Sequence, residues 1–339
     1  MLKNVYIEEL KEGDRFEDLF LIKNVKLGET RAGKPYLVLT VMDKTGELSG
    51  PVWDNVSQLQ ETCVAGEVVR IAGTVQSYRD TLQLRIDGIS RVPEIETNPG
   101  DFYPASPKNI REMADDVQDL VLTIGNPFLK KLLNHFFKKS DRWASFQEAP
   151  AAKGIHHAYI GGLLEHSLSV AKAADFLAKH YEGVDRSLLI AGALLHDIGK
   201  LEELRVAGGL VEYTARGRLK GHLVIGSEMV AQAAEKIPDF PEELLEQLQH
   251  LILSHHGRQE FGSPTVPMTV EAFMLSFLDD LDAKMNITEQ LRRKMDKKEM
   301  SWTDYQRSLE RYLYLGGFDK NEIETASAQP NNFRQPSLF

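Results

Sequence analysis

The hydrophobic repeat of this chain changes once, and the change falls across a cluster of prolines. Before the prolines, Leu37, Leu39 and Val41 alternate with Tyr36, Val38 and Thr40, the period of two expected of a half-buried strand. After them, Phe128, Leu129, Leu132, Leu133 and Phe136 lie at three- and four-residue spacing, the buried stripe of an amphipathic helix. Similar stripes recur over Leu163–Leu177, Leu188–Leu195, Leu223–Ala234, Leu244–Leu253 and Val270–Leu281. The two periods predict a β domain followed by an all-α helical bundle. Pro93, Pro99, Pro104 and Pro107 between them show no periodicity and read as a semi-rigid linker. A length of 339 residues also exceeds one ordinary core. The expected boundaries are a small barrel over 1–95, a linker over 96–108, a helical domain over 109–320 and a tail over 321–339. The last stretch, Thr325 to Phe339, has few apolar groups and reads as disordered.

The β region predicts three strands, a helix and two strands. Asp43-Lys44-Thr45-Gly46 turns the chain before Leu48–Trp53, and a short helix fits Val56–Thr62. Strands Val68–Ser77 and Thr81–Val92 then flank a tight Tyr78-Arg79-Asp80 turn. This is the element order of an OB-fold, a five-stranded barrel that binds oligonucleotides. An SH3-like barrel satisfies the same propensities. Tyr36, Trp53 and Tyr78, with Arg70, Arg79 and Arg85 nearby in sequence, are candidate single-strand contacts. Bases stacked on such rings contribute ~1–3 kcal/mol each. The competing role for Tyr36 and Trp53 is barrel core.

Bulk properties narrow the setting. No apolar run approaches the ~20 residues of a membrane span, and MLKNVYIEELKEGD carries charges where a signal peptide has its apolar stretch. The lone Cys63 rules out an internal disulfide and thiolate zinc sites. These features point to the cytoplasm. A net charge of -10 argues against a global basic field, so a polyanion would be held locally, by a patch, a groove or bound cations.

Histidine and aspartate recur along the helical stripes as His166, His196-Asp197, His222, His255-His256 and Asp279. Each segment is an expected helix or helix end, able to aim a ligand into one bundle interior. Any one histidine is ordinarily a hydrogen-bonded core or surface group, and His135, His180 and His250 are read that way. The ordered set is different, because Asp197 lies inside the apolar run LLIAGALLHDIGK. A buried, unpaired carboxylate there would cost several kcal/mol, and a cation is the economical partner. Nitrogen and oxygen donors without sulfur suit Mn²⁺, Fe²⁺ or Mg²⁺ over Zn²⁺.

The pattern His166…His196-Asp197…Asp279 resembles the signature of the HD superfamily of metal phosphohydrolases. The contexts GGLLEHSLSV, LLHDIGK, GRLKGHLVIGSEM, LSHHGRQEFGSP and EAFMLSFLDDLDAKM resemble the YhaM-type 3′–5′ exoribonucleases, which also carry an N-terminal OB-fold. The likeness runs from the barrel to about Met285, and the GYP element of cyclic-dinucleotide phosphodiesterases is absent. The resemblance implies two divalent metals, with Asp197 bridging them. His166, His196 and Asp279 would complete one site, and His222, His255 and His256 the other. It also implies a bridging water as nucleophile. Asp280 and Asp282 compete with Asp279; Asp280 is rotated by ~100° on the helix and Asp282 lies nearly a turn further on. Lys200, one turn after the His196-Asp197 pair, is a candidate for holding a phosphate oxygen. Its plainer role is a surface lysine at a helix end.

Two further segments are candidates for contacts. Arg216-Gly217-Arg218-Leu219-Lys220 reads as a basic loop beside His222 that could steer a phosphate backbone. Gln335, Leu338 and Phe339, in the terminal QPSLF, resemble the peptide with which bacterial replication and repair proteins dock on the DNA sliding clamp, Pro336 departing from the usual leucine. The expected function is a metal-dependent 3′–5′ exonuclease of single-stranded RNA, with DNA as a second substrate. Its rivals are an HD phosphohydrolase of a small nucleotide and a clamp-associated scaffold with an inactive site. Exposed helical faces leave a homo-oligomer open.

Overall fold

A computed structural model of the chain describes residues 3–30, 33–56, 59, 63–78, 81–93, 97–138, 140–153, 157–207, 210–294 and 302–315. It begins with five antiparallel strands: β1 (Arg15–Glu29), β2 (Pro35–Asp43), β3 (Gly46–Val52), β4 (Val68–Tyr78) and β5 (Thr81–Arg91), in the order β3-β2-β1-β4-β5. The long β1 serves two partners. Its first half pairs with β4, from Arg15↔Thr74 to Leu21↔Val68, and its second half with β2, ending at Glu29↔Pro35. A register shift between Ile22 and Asn24 marks the changeover, where a bulge bends the strand and increases its twist. Alternation then sends Leu37, Leu39 and Val41 inward with Phe20, Ile71 and Leu84. The outer strands come together at Gly50, where a Cβ would lie 2.2 Å from the Leu84 carbonyl oxygen. Only glycine fits that approach.

Within the proline-rich stretch, residues 101–106 are packed in place. Phe102 is buried against Leu19 and Leu21, and Asp101 accepts from the Tyr6 hydroxyl at 2.9 Å. A few residues on, Ser106 N donates to Ile160 O at 2.8 Å and Ile160 N to Pro104 O at 2.9 Å.

Nine helices follow among the described residues: α1 (Ile110–Leu122), α2 (Pro127–Phe137), α3 (Asp141–Glu148), α4 (Gly162–His180), α5 (Arg186–Leu195), α6 (Lys200–Glu203), α7 (Ala215–Ala234), α8 (Glu242–Ser254) and α9 (Val270–Lys294). Starts are capped as helix physics requires. Asn109, Asn126, Ser140, Asp185 and Thr214 each accept a first-turn N–H with their side chains. One apolar core runs through the bundle, including Leu133, Phe136, Leu164, Leu194, Ile225, Leu251 and Leu275. No helix among the described residues is long and apolar enough to cross a membrane.

Two expectations need correcting. The helical domain is not wholly α: β6 (Leu204–Ala207) and β7 (Leu210–Tyr213) form a hairpin before α7. Four-residue strands fall below any periodicity window, although the Gly208-Gly209 pair between LRVA and LVEY is a hairpin signal. The Arg216–Lys220 segment is the first part of α7 rather than a loop, ending at Gly221, whose φ of 71° breaks the helix. The described residues from 284 onward form a unit separate from that ending at 283. Its described part carries a short antiparallel bridge between Trp302 and Tyr314.

Candidate metal centre

His196 caps the C-terminus of α5 and His255 that of α8. At both ends a helix carbonyl three residues back is free to accept, and both imidazoles use it. His196 Nδ1 lies 2.8 Å from Ala193 O and His255 Nδ1 2.7 Å from Ile252 O. His256 Nδ1 meets Phe261 O at 2.9 Å, His222 Nδ1 meets Glu203 Oε1 at 3.1 Å, and His166 Nδ1 meets Asp282 Oδ2 at 2.8 Å. With each Nδ1 anchored, the ring is oriented and Nε2 is the atom turned toward the centre, the arrangement found in metal-ligating histidines.

For four of these rings, Nε2 points at Asp197. Its Oδ2 lies 3.6 Å from His166 Nε2 and 3.4 Å from His196 Nε2. Its Oδ1 lies 3.4 Å from His222 Nε2 and 3.7 Å from His255 Nε2. Asp279 Oδ1 joins the first group, 3.1 Å from His166 Nε2 and 3.7 Å from His196 Nε2. His256 joins the second, its donor atom within 4.8 Å of those of His222 and His255. His222 is drawn in by Gly199, where a Cβ would sit 2.0 Å from the His222 carbonyl oxygen. The other six residues named from the sequence are therefore gathered around the Asp197 carboxylate. Lys200 is there too, its Nζ 2.6 Å from Asp197 Oδ2.

The electrostatics suit cations. His166 Nε2 faces His196 Nε2 at 3.1 Å, although two ring nitrogens satisfy each other only when one carries a proton. Burial disfavours charge on Asp197, but Lys200 and His196 outweigh it and hold the carboxyl well below its ordinary range. Asp279 is likewise held low, by His166 and His255 against burial. Burial keeps His255 well below the usual imidazole value, and lowers His256 with help from His222. Burial also pulls His166 down, yet Asp279 and Asp282 overcome it and push the ring up to about 10. Asp197 Oδ1, His222 Nε2 and His255 Nε2 are buried without a hydrogen-bond partner. Orphaned acceptors meeting at one point fit a divalent metal.

Sequence reasoning did not see the residues that hold these rings from behind, and named Asp282 only as a rival of Asp279. Asp282 Oδ2 accepts from both His166 and His157, the latter at 3.0 Å, and Ser169 Oγ donates to its other oxygen. Tyr159 OH bridges His157 Nδ1 at 3.0 Å and Glu165 Oε2 at 2.9 Å. Glu203 anchors His222 through both its ring and its main-chain N–H. The available signal was His157 upstream of GGLLEH, and the third aspartate of LDDLDAKM.

Elsewhere, Tyr36 and Trp53 stack with ring centroids 4.8 Å apart, and Trp53 is 57% exposed. Trp53, Gln76, Arg85 and Arg91 line a cleft of about 870 Å³. Tyr78 is exposed but does not line it. Arg79, Gln335, Leu338 and Phe339 lie outside the described residues. Arg216 pairs with Glu202 and Glu228, and Lys220 with Glu228. Among the described residues Arg218 is exposed without an acidic partner.

A barrel joined to a helical domain with this histidine–aspartate array defines an OB-fold protein with an HD domain. Family models agree: the HD domain matches residues 163–284 and the OB-fold nucleic acid binding domain matches residues 21–92. The chain is 37% identical over 291 residues to the 3′–5′ exoribonuclease YhaM of Bacillus subtilis (strain 168), covering 85% of this chain and 90% of that protein. It is 34% identical to the protein of the same name from Geobacillus sp. (strain WCH70), covering 85% and 88%. Among solved structures, the second OB-fold domain of replication protein A from Methanococcus maripaludis is 20% identical over 28% of this chain and 97% of that one, with a TM-score of 0.22. The chain belongs to the YhaM family.

Proposed function

We propose that this protein is a metal-dependent 3′–5′ exonuclease that shortens single-stranded RNA, and DNA as a second substrate, to nucleoside monophosphates. One observation carries the reading: the two oxygens of Asp197 face two separate imidazole sets, with Oδ1, His222 Nε2 and His255 Nε2 buried and unpartnered. In this reading His166, His196, Asp197 and Asp279 would hold one divalent ion, and Asp197, His222, His255 and His256 would hold the other. The donor set favours Mn²⁺, with Fe²⁺ or Mg²⁺ as substitutes. The chemistry a bound pair supplies is Lewis acidity toward the phosphodiester and a lowered pKa for the attacking water.

The chain's own residues do the rest. The anchored Nδ1 groups keep the rings aimed, so little reorganisation is needed during turnover. Lys200, ion-paired with Asp197, brings a cation to the centre and offsets charge developing on the phosphate. Trp53, backed by Tyr36, gives the incoming strand a stacking face beside Arg85, and Tyr78 and Arg79 are further candidate contacts. Arg218 steers the backbone, and Arg216 and Lys220 contribute once they leave their glutamates. The working division is barrel 1–95, connecting segment 96–108, catalytic domain 109–320 and tail 321–339. Gln335, Leu338 and Phe339 would dock on a sliding clamp, tested by a pull-down with 335–339 removed. The lack of a membrane-crossing helix among the described residues and the single cysteine favour work in the cytoplasm, as a homo-oligomer if the exposed helical faces pair.

The test uses Mn²⁺ and two single-stranded RNAs, one labelled at each end. A ladder shrinking from the 5′-labelled strand, with mononucleotide released at once from the 3′-labelled strand, is the expected result. No cleavage by protein that retains metal would overturn it in favour of a small-nucleotide phosphohydrolase.

A further inference from the structure

The residue that anchors His256 carries a side chain the metal centre does not use. Phe261 holds the His256 ring through its main-chain carbonyl, at 2.9 Å, while its own ring is 63% exposed. The Arg258 guanidinium lies over that ring, 5.9 Å from its centroid. The turn between them is tied by its own backbone. Phe261 N donates to Arg258 O at 3.2 Å, Gly262 N to Gln259 O at 2.9 Å and Ser263 N to Arg258 O at 3.3 Å. The same turn abuts α9, because a Cβ at Gly257 would lie 3.5 Å from Ser276 Cβ, one turn before Asp279.

An exposed phenylalanine alone is ordinary. Here three features coincide: the ring is carried on a hydrogen-bonded turn, one hydrogen bond from a metal-centre histidine, with a cation beside it. A flat aromatic face paired with a guanidinium is what a nucleobase and its phosphate require. We infer that Phe261 and Arg258 form a base-binding subsite for the nucleotide whose phosphate lies at the metal centre, Phe261 stacking on the base. The inference rests on the phosphodiesterase reading of that centre. The link to His256 runs through the backbone, so changing the Phe261 side chain leaves that hydrogen bond in place.

The experiment compares wild type, Phe261→Ala and Phe261→Trp, each loaded with Mn²⁺. Two quantities are measured: kcat/KM on single-stranded RNA, and affinity for adenosine 5′-monophosphate against ribose 5-phosphate, which lacks the base. Wild type is expected to prefer the nucleotide by about ten- to a hundredfold, the range of one stacked base. Phe261→Ala removes that preference, lowers kcat/KM on RNA by a similar factor, and leaves ribose 5-phosphate binding and Mn²⁺ affinity unchanged. Phe261→Trp retains the preference. Equal wild-type affinity for the two ligands overturns the subsite. So does a Phe261→Ala loss that falls equally on both ligands or on metal binding, since that marks a merely structural role. Wild type that prefers the nucleotide through Phe261 yet cuts no RNA refutes the exonuclease reading and leaves the base subsite standing.

Discussion

The barrel and the helical domain both bury charge, but they dispose of it differently. In the barrel, Lys3 Nζ is 3.3 Å from Asp43 Oδ2 and donates to Leu19 O at 2.6 Å, with both charged side chains fully buried. Asp43 also accepts from Ile7 N at 2.8 Å and Thr45 N at 2.8 Å, and Asp18 from Asn4 N at 2.7 Å. In the helical domain, Asp197 is as deeply buried, yet its Oδ1 and the two imidazole nitrogens facing it have no partner. A buried polar group left unpaired costs ~1–3 kcal/mol, more when charged. The barrel's charges are therefore matched within its own fold, whereas the bundle gathers buried acceptors whose chemistry fits a divalent metal.

The comparison breaks most visibly at Asp197. Asp197→Ala is expected to lower kcat on single-stranded RNA by at least about a thousandfold, read from the end-labelled assay. Wild-type turnover in that variant would remove the bundle's special status. The barrel counterpart is Asp43→Ala, which leaves Lys3 buried without its partner. It is expected to cost about 3–5 kcal/mol of folding stability, seen as a lower denaturation midpoint, with turnover per folded, metal-loaded molecule unchanged.

Asp282→Asn sharpens the contrast within the bundle. The amide cannot hold His166 and His157 as the carboxylate does, and a ten- to hundredfold loss of Mn²⁺ affinity is expected by calorimetry. The gentlest test is pH. In the metal-free protein the His166 pKa is raised to about 10, against burial, by Asp279 and Asp282. Its protonation therefore stabilises the metal-free fold fully below about pH 6.5, and that contribution is lost as pH rises toward 10. A metal must displace this proton, so Mn²⁺ affinity is expected to rise by up to about tenfold per pH unit across neutrality. A flat titration would mean that His166 is already neutral.

Much of the site was legible because ligands in a bundle must interrupt apolar runs. His196-Asp197 within LLIAGALLHDIGK and His255-His256 after a helical stripe stand out for that reason. The barrel's strands were equally plain, since alternation over Leu37–Val41 is incompatible with a helix, while most of the helix expected over Val56–Thr62 lies outside the described residues. The side chains that hold the rings from behind were not. Asp282, His157 and Glu203 matter through which nitrogen they meet, and sequence spacing does not encode that. The same holds for Arg216 and Lys220, whose basic character looked available but is taken up by Glu202 and Glu228.

By itself, the sequence determined the two-part architecture and the roster of histidines and aspartates, because periodicity and buried charge are local constraints that any fold must honour. Only the tertiary structure decided how that roster divides: which oxygen of Asp197 faces which imidazoles, which carboxylate orients rather than faces the centre, and which aromatic beside it is left exposed. Those outcomes depend on angles and distances of a few ångströms between α4, α5, α7, α8 and α9, elements far apart in the chain that meet only when the core packs.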